Sequence, residues 1–185
     1  MVLFSGDHEN ITLNSVSLQP YLLLNFFKKI ISFFSSKNKM EPIPSKIIEI
    51  NDKWNKSKTV RYWSDELIFG KVDYWQTPKE FIKNGLGDCE DFAIAKFFDL
   101  KKEGYDPWIV YCMDKTSGHA VCVVDDYILD LDRIYDLRKD KYWKYVSVYG
   151  FNLDEFKIFK EFKPTGKNLG IHNLKSWTNL LERMK

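Results

Sequence analysis

After Gly87-Asp88 the chain runs CEDFAIAKFFDL, a helix-forming stretch that is apolar over most of its girth. Ala93, Phe97 and Leu100 share one face at helical spacing, and Phe92, Ile94 and Phe98 widen it. Gly104 stops the run. A helix this broadly apolar belongs inside a fold. Its first residue is Cys89, flanked by Asp88, Glu90 and Asp91. Unpaired N–H groups and the positive end of the dipole favour a thiolate at a helix start. Three adjacent acids oppose one. That conflict marks the helix start as the place to look for chemistry.

The surrounding segments define the organisation. TPKEFIKNG is a short helix with its own punctuation: Thr77 caps it, Pro78 takes the first position, Glu80 closes a capping box and Gly85 ends it. Upstream, Ser45 caps a helix on which Ile47, Ile50 and Trp54 recur. After Gly104 the period changes to two. PWIVYCM, HAVCVV and YILDL are short β-branched or aromatic runs separated by DKTSG and DD, a pattern of antiparallel hairpins. YWKYVSVYGF and FKIFKEF add strands. The tail IHNLKSWTNLLERMK places Ile171, Leu174, Trp177 or Thr178, Leu181 and Met184 on one helical stripe. Helices followed by a meander make an α+β fold. Three segments result: an N-terminal extension over 1–40, a domain over 41–162 and a helical tail over 163–185.

The 185 residues suffice for one domain with a modest core. Lys and Arg (28) and Asp and Glu (26) are interspersed, so the chain carries no nucleic-acid footprint. In the extension, PYLLLNFFKKIISFFSSKNK is split by Lys28 and Lys29 and is too broken to span a bilayer. It lacks the small-residue cleavage site of a secretion signal. It reads as an amphipathic helix that packs on the domain or rests on a membrane surface.

A cysteine nucleophile needs a base, and the base needs an orienting group. Of the three histidines, His119 alone starts a core strand. A two-residue turn at Asp125-Asp126 sets Val124 opposite Tyr127, which puts Asp130 opposite Val121 and Asp132 opposite His119. Both aspartates then share the His119 face. Asp130 stands between Leu129 and Leu131, where a carboxylate needs a partner. Pairing Met113 with His119 across a five-residue loop puts Cys112 and Cys122 diagonally on the other sheet face, as buried small apolar residues. Taken singly, each group has a plain structural account: a cap, a core histidine, a solvated acid. Asp88, Glu90 and Asp91 suit a helix start as dipole partners, and together they suit a hard cation such as Ca²⁺. Trp75 is a candidate wall of a cleft.

DYWQTPKEFIKNGLGDCEDFAIAKFFDLKKEG, then HAVCVV, YILDL and VYGFN, resembles the bacterial transglutaminase-like cysteine proteinases of LapG type over roughly residues 45–160. The resemblance implies a papain-like, transglutaminase-like core with the helix-start cysteine packed on an antiparallel sheet. It implies a triad of Cys89, His119 and Asp130. The family's LDN-like motif has Leu131 in its last place here, and Asp132 stands close by as an alternative third member. It implies Ca²⁺ at Asp88 and Glu90, with Asp91 beside them. It further implies a periplasmic endopeptidase that cleaves a large surface adhesin and answers to an inner-membrane receptor. The same thioester chemistry serves a glutamine acyl transferase or deamidase, and the same fold serves a catalytically idle binding module.

Overall fold

Helix α1 (Ser45–Asn55) buries Ile47, Ile50 and Trp54, the stripe expected from the sequence. Its cap differs. Pro44 precedes the first turn at φ −53°, so Ser45 is the first helical residue and no side chain caps the helix. The computed structural model describes residues 41–70, 73–142 and 144–185; the amphipathic run of the extension lies outside them. Strand β1 (Arg61–Tyr62) is followed by α2 (Asp65–Phe69), α3 (Pro78–Asn84) and β2 (Leu86–Gly87), and β1 and β2 pair in parallel.

The local punctuation around α3 acts as its residue types dictate. Glu80 N–H donates to Thr77 Oγ1 at 3.2 Å, and Thr77 N–H donates to Glu80 Oε2 at 2.7 Å. Pro78 takes the first turn and Gly85 closes the helix. One residue pair later, Asp88 is the N-cap of α4 (Cys89–Lys102). Gly87 is required there by space, because a Cβ would collide with the Asp91 carboxylate and the Phe81 ring. Ile94, Phe97 and Leu100 of α4 are fully buried, and each contributes about 2 kcal/mol by leaving water.

The cover for α4 is a seven-stranded antiparallel sheet. Its strands are β3 (Trp108–Met113), β4 (Gly118–Val124), β5 (Tyr127–Leu129), β6 (Ile134–Asp136), β7 (Val146–Phe151), β8 (Phe156–Lys160) and β9 (Lys163–Thr165). In space they run β6-β5-β4-β3-β7-β8-β9. Ile109, Cys122, Val124 and Leu129 face the core that holds α4. Val110, Cys112, Val121, Val123 and Ile128 face a second core with Phe159 and Phe162. Helix α5 (Lys175–Arg183) seats Trp177 and Leu180, both fully buried, in the α4 core. Leu181, Leu174 and Ile171 of the expected stripe pack partly buried against the same core, Ile171 from a preceding 3-10 turn. Among the described residues no helix is long and apolar enough to cross a membrane.

Two registers decide the site. Val124 pairs with Tyr127 as expected. The β3–β4 connection is one residue shorter than expected: Met113 pairs with Gly118 and Cys112 with His119. Asp114 makes the tighter turn by accepting from the N–H groups of Thr116 and Ser117, both at 2.7 Å. Cys112 and Cys122 therefore lie on opposite sheet faces, not on one, and both are fully buried. Gly118 is needed in this register, since a Cβ would strike the Tyr111 hydroxyl.

Candidate active site

Cys89 opens α4 on the floor of a cleft of about 440 Å³ that His119, Trp75, Tyr62, Tyr111 and Tyr149 also line. His119 is the second residue of β4 and is almost fully buried. Its ring stacks on Tyr145, with centroids 4.7 Å apart and planes at 25°. Its Nε2 lies 2.6 Å from Asp130 Oδ1. Asp130 follows the last residue of β5, where the chain turns and Asp130 N–H donates to the Arg133 carbonyl. The strand ends before Asp132 could face His119. Asp132 is exposed instead, accepting from Arg133 N–H and the Tyr135 hydroxyl. The structure thus joins Asp130, and not Asp132, to His119.

Asp130 is held as a carboxylate. Burial opposes its charge, but hydrogen bonds from His119, Tyr142 and Leu131 N–H outweigh it and hold its pKa below the usual range. An ionised carboxylate only accepts, so Nε2 of His119 carries a proton, which in the neutral ring leaves the lone pair on Nδ1. Trp75 is fixed as a wall by stacking on Phe151, with centroids 5.3 Å apart and planes at 10°.

The acids around Cys89 divide into two groups. Asp91 is structural in its contacts: it accepts from Gln76 N–H (2.8 Å), Gln76 Nε2 (2.5 Å) and Asp88 N–H (3.3 Å), tying the segment after Trp75 to the helix start. Glu90 accepts the Cys89 thiol proton, with Sγ 2.9 Å from Oε2. Burial, and then the Asp88 charge, pushes Glu90 up to about 9. Burial followed by the Glu90 and Asp88 charges pushes the Cys89 thiol far up as well, with Ala120 N–H acting in the opposite sense.

Two acids absent from the sequence reading complete the cluster. Asp65 at the start of α2 is buried, and Asp73 precedes Tyr74-Trp75. Ligand atoms lie within 4.8 Å of one another in three groups: Asp88, Cys89 and Glu90; Asp65, Asp88 and Asp91; and Asp65, Asp73 and Glu90. Asp65 Oδ1 and Asp88 Oδ1 are buried without a hydrogen-bond partner. Orphaned carboxylate oxygens in a nest of acids are the donor set of a hard cation, so these residues fit Ca²⁺. Sequence reasoning missed Asp65 and Asp73 because each looks like an ordinary helix-start or turn acid. It missed Tyr142 and Tyr145 because their contacts cross from a separate segment.

A helix-start cysteine in a cleft with a sheet-borne, aspartate-held histidine defines a transglutaminase-like cysteine peptidase. The chain belongs to the bacterial transglutaminase-like cysteine proteinase family, whose model matches residues 34–149. Its structure is similar to that of Legionella pneumophila LapG treated with EGTA, with a TM-score of 0.64 and 28% identity over 80% of this chain and 82% of that one. It is also similar to calcium-bound Legionella pneumophila LapG, with a TM-score of 0.62 and 28% identity over 80% and 83% of the two chains. No curated protein sequence matches it.

Proposed function

We propose that this peptidase is an endopeptidase that works through Cys89, His119 and Asp130 and depends on calcium. The observation that carries the reading is that His119, held by Asp130 at 2.6 Å, lines the same cleft as the helix-start thiol. His119 Nδ1 takes the Cys89 proton, and the thiolate attacks a peptide carbonyl. Backbone N–H groups at the start of α4 face the developing oxyanion. His119 then returns its proton to the leaving amine, and water releases the acyl group. Asp130 keeps the imidazole in the tautomer that can do both.

The Cys89 thiol now donates to Glu90, which competes with His119 for its proton. Calcium held by Asp65, Asp73, Asp88 and Glu90 would supply positive charge beside the thiol. Glu90 so engaged would no longer accept from Cys89. The calcium-bound form of the similar Legionella pneumophila LapG supports this reading.

The resemblance to LapG-type enzymes supports a periplasmic setting, a surface adhesin as substrate and a regulatory receptor as partner. The experiment compares native cell envelopes treated with the active protein and with Cys89→Ala. New protein termini only with the active form support an endopeptidase, and a released adhesin fragment identifies the substrate. Ammonia release or cross-links without new termini would show an acyl transferase instead.

A further inference from the structure

Lys96 is 1% exposed, in the middle of α4, and its contacts are unusual for a buried ammonium. Its Nζ donates to the main-chain carbonyl of Asp130 at 2.9 Å and to that of Leu129 at 3.4 Å. Neither partner is a carboxylate. An interior ammonium bonded only to carbonyls is costly, and an apolar side chain of similar length would pack there without that cost. Its position suggests why a charge is kept. Lys96 comes seven residues after Cys89, close to two helical turns, so both lie on the same face of α4 about 10 Å apart. From α1, Asn55 Nδ2 donates to the same Asp130 carbonyl at 2.7 Å.

We propose that Lys96 is a positioning residue: with Asn55, it clamps the backbone of Asp130 to the helix that carries Cys89 and so sets His119 against the thiol. The inference rests on the triad reading above. Asp130 sits where β5 has ended, so no strand partner fixes its carbonyl. The clamp replaces the missing ladder bond at the residue whose side chain orients the base. The titratable groups that face Lys96 are Cys122 from β4 and Asp130 and Asp132 from the turn after β5. Burial draws its pKa down to about 8, and these groups oppose the change.

The test uses Lys96→Met and, as a second variant, Asn55→Ala, each with excess calcium. Three readouts are taken: the melting temperature, the rate of Cys89 alkylation by iodoacetamide, and the ¹⁵N-histidine spectrum. Only three histidines contribute to that spectrum, and His119→Ala assigns the His119 signal. In Lys96→Met the melting temperature should stay at or above the parent's, because a buried charge is gone. Alkylation should slow by roughly ten- to a hundredfold, the scale of a small misplacement of reacting groups. The downfield His119 N–H resonance should move upfield. Asn55→Ala should move the resonance in the same direction by less. An unchanged rate and resonance in a folded Lys96→Met protein would overturn the proposal. So would a rate loss that only tracks a fall in melting temperature. If the parent itself shows no His119-dependent alkylation, the triad reading fails first, and this inference falls with it.

Discussion

Tyr142 donates its hydroxyl proton to Asp130 Oδ2 at 2.6 Å, while Asp130 Oδ1 serves His119 at the same distance. One carboxylate is thus gripped on both oxygens, by the tyrosine hydroxyl on one and the imidazole on the other. Tyr142→Phe removes one charge-assisted hydrogen bond, worth about 1.5–3 kcal/mol. Peptidase activity should fall roughly tenfold or more by the same figure. The stability loss should depend on pH. Asp130 has a lowered folded pKa, so its contribution is present above the unfolded value near 4 and fades as pH falls through the folded one. Melting curves should show the deficit of Tyr142→Phe at neutral pH and its shrinkage in acid. A deficit constant across that range would count against an ionised Asp130.

The third member of the triad is open to a direct contrast. Asp130→Asn should cost about 10²–10⁴ in activity by holding the wrong imidazole tautomer. Asp132→Asn, at an exposed acid bonded to Tyr135 and Arg133, should leave activity within about twofold, as a surface change well away from the reacting groups does. Steady-state assays on both variants decide it, and a larger loss at Asp132 would reverse the assignment.

Thiol chemistry should single out one cysteine. Cys112 and Cys122 are fully buried, and burial raises both thiols to about 12. Iodoacetamide with calcium present should label Cys89 and leave the other two untouched in the folded protein. His119→Ala should slow that labelling by about a hundredfold or more. Peptide mapping after labelling gives the answer, and equal modification of Cys112 would remove Cys89 from the nucleophile's role.

Calcium and pH should act together. Burial is the main cause that lifts Glu90 to about 9, Asp91 to about 7 and Asp65 to about 6. Acids raised in the folded state hold protons that the unfolded chain has already released. Stability without metal should therefore fall as pH climbs from about 4 towards 9. Added calcium should restore it, by more at the upper end. Melting temperatures in EGTA and in calcium across that range test this, and coincident curves would dispose of the cation site. Asp65→Asn should weaken calcium binding by about tenfold or more, since ligand charge sets affinity at such sites; calorimetric titration measures it.

The helices that frame the site were legible because their signals are local. The Thr77–Glu80 capping box and Pro78 form within one turn, and Asp88 stands one residue before the helix it caps. The β4–β5 register was legible for a related reason, since a two-residue turn and a period of two placed both Asp130 and Asp132 on the His119 face; the choice of Asp130 was not, because it depends on β5 ending at Leu129. The β3–β4 register was not. The Asp114 side chain tightened that loop by one residue, and a one-residue slip moves every side chain to the other face, which is how Cys112 changed sides.

By itself the sequence determined an apolar helix that had to be buried, a thiol at its start, and a histidine at the head of a strand with Asp130 and Asp132 as its two candidate partners. These follow from spacing, caps and turn chemistry acting over a few residues. Only the tertiary structure decided that Asp65 and Asp73 join Asp88 and Glu90, that Tyr142 grips Asp130, and that Lys96 points its charge at a carbonyl from inside the core. Those contacts join residues from 12 to 34 positions apart. Their partners are chosen by which faces pack together, and no local pattern encodes that choice.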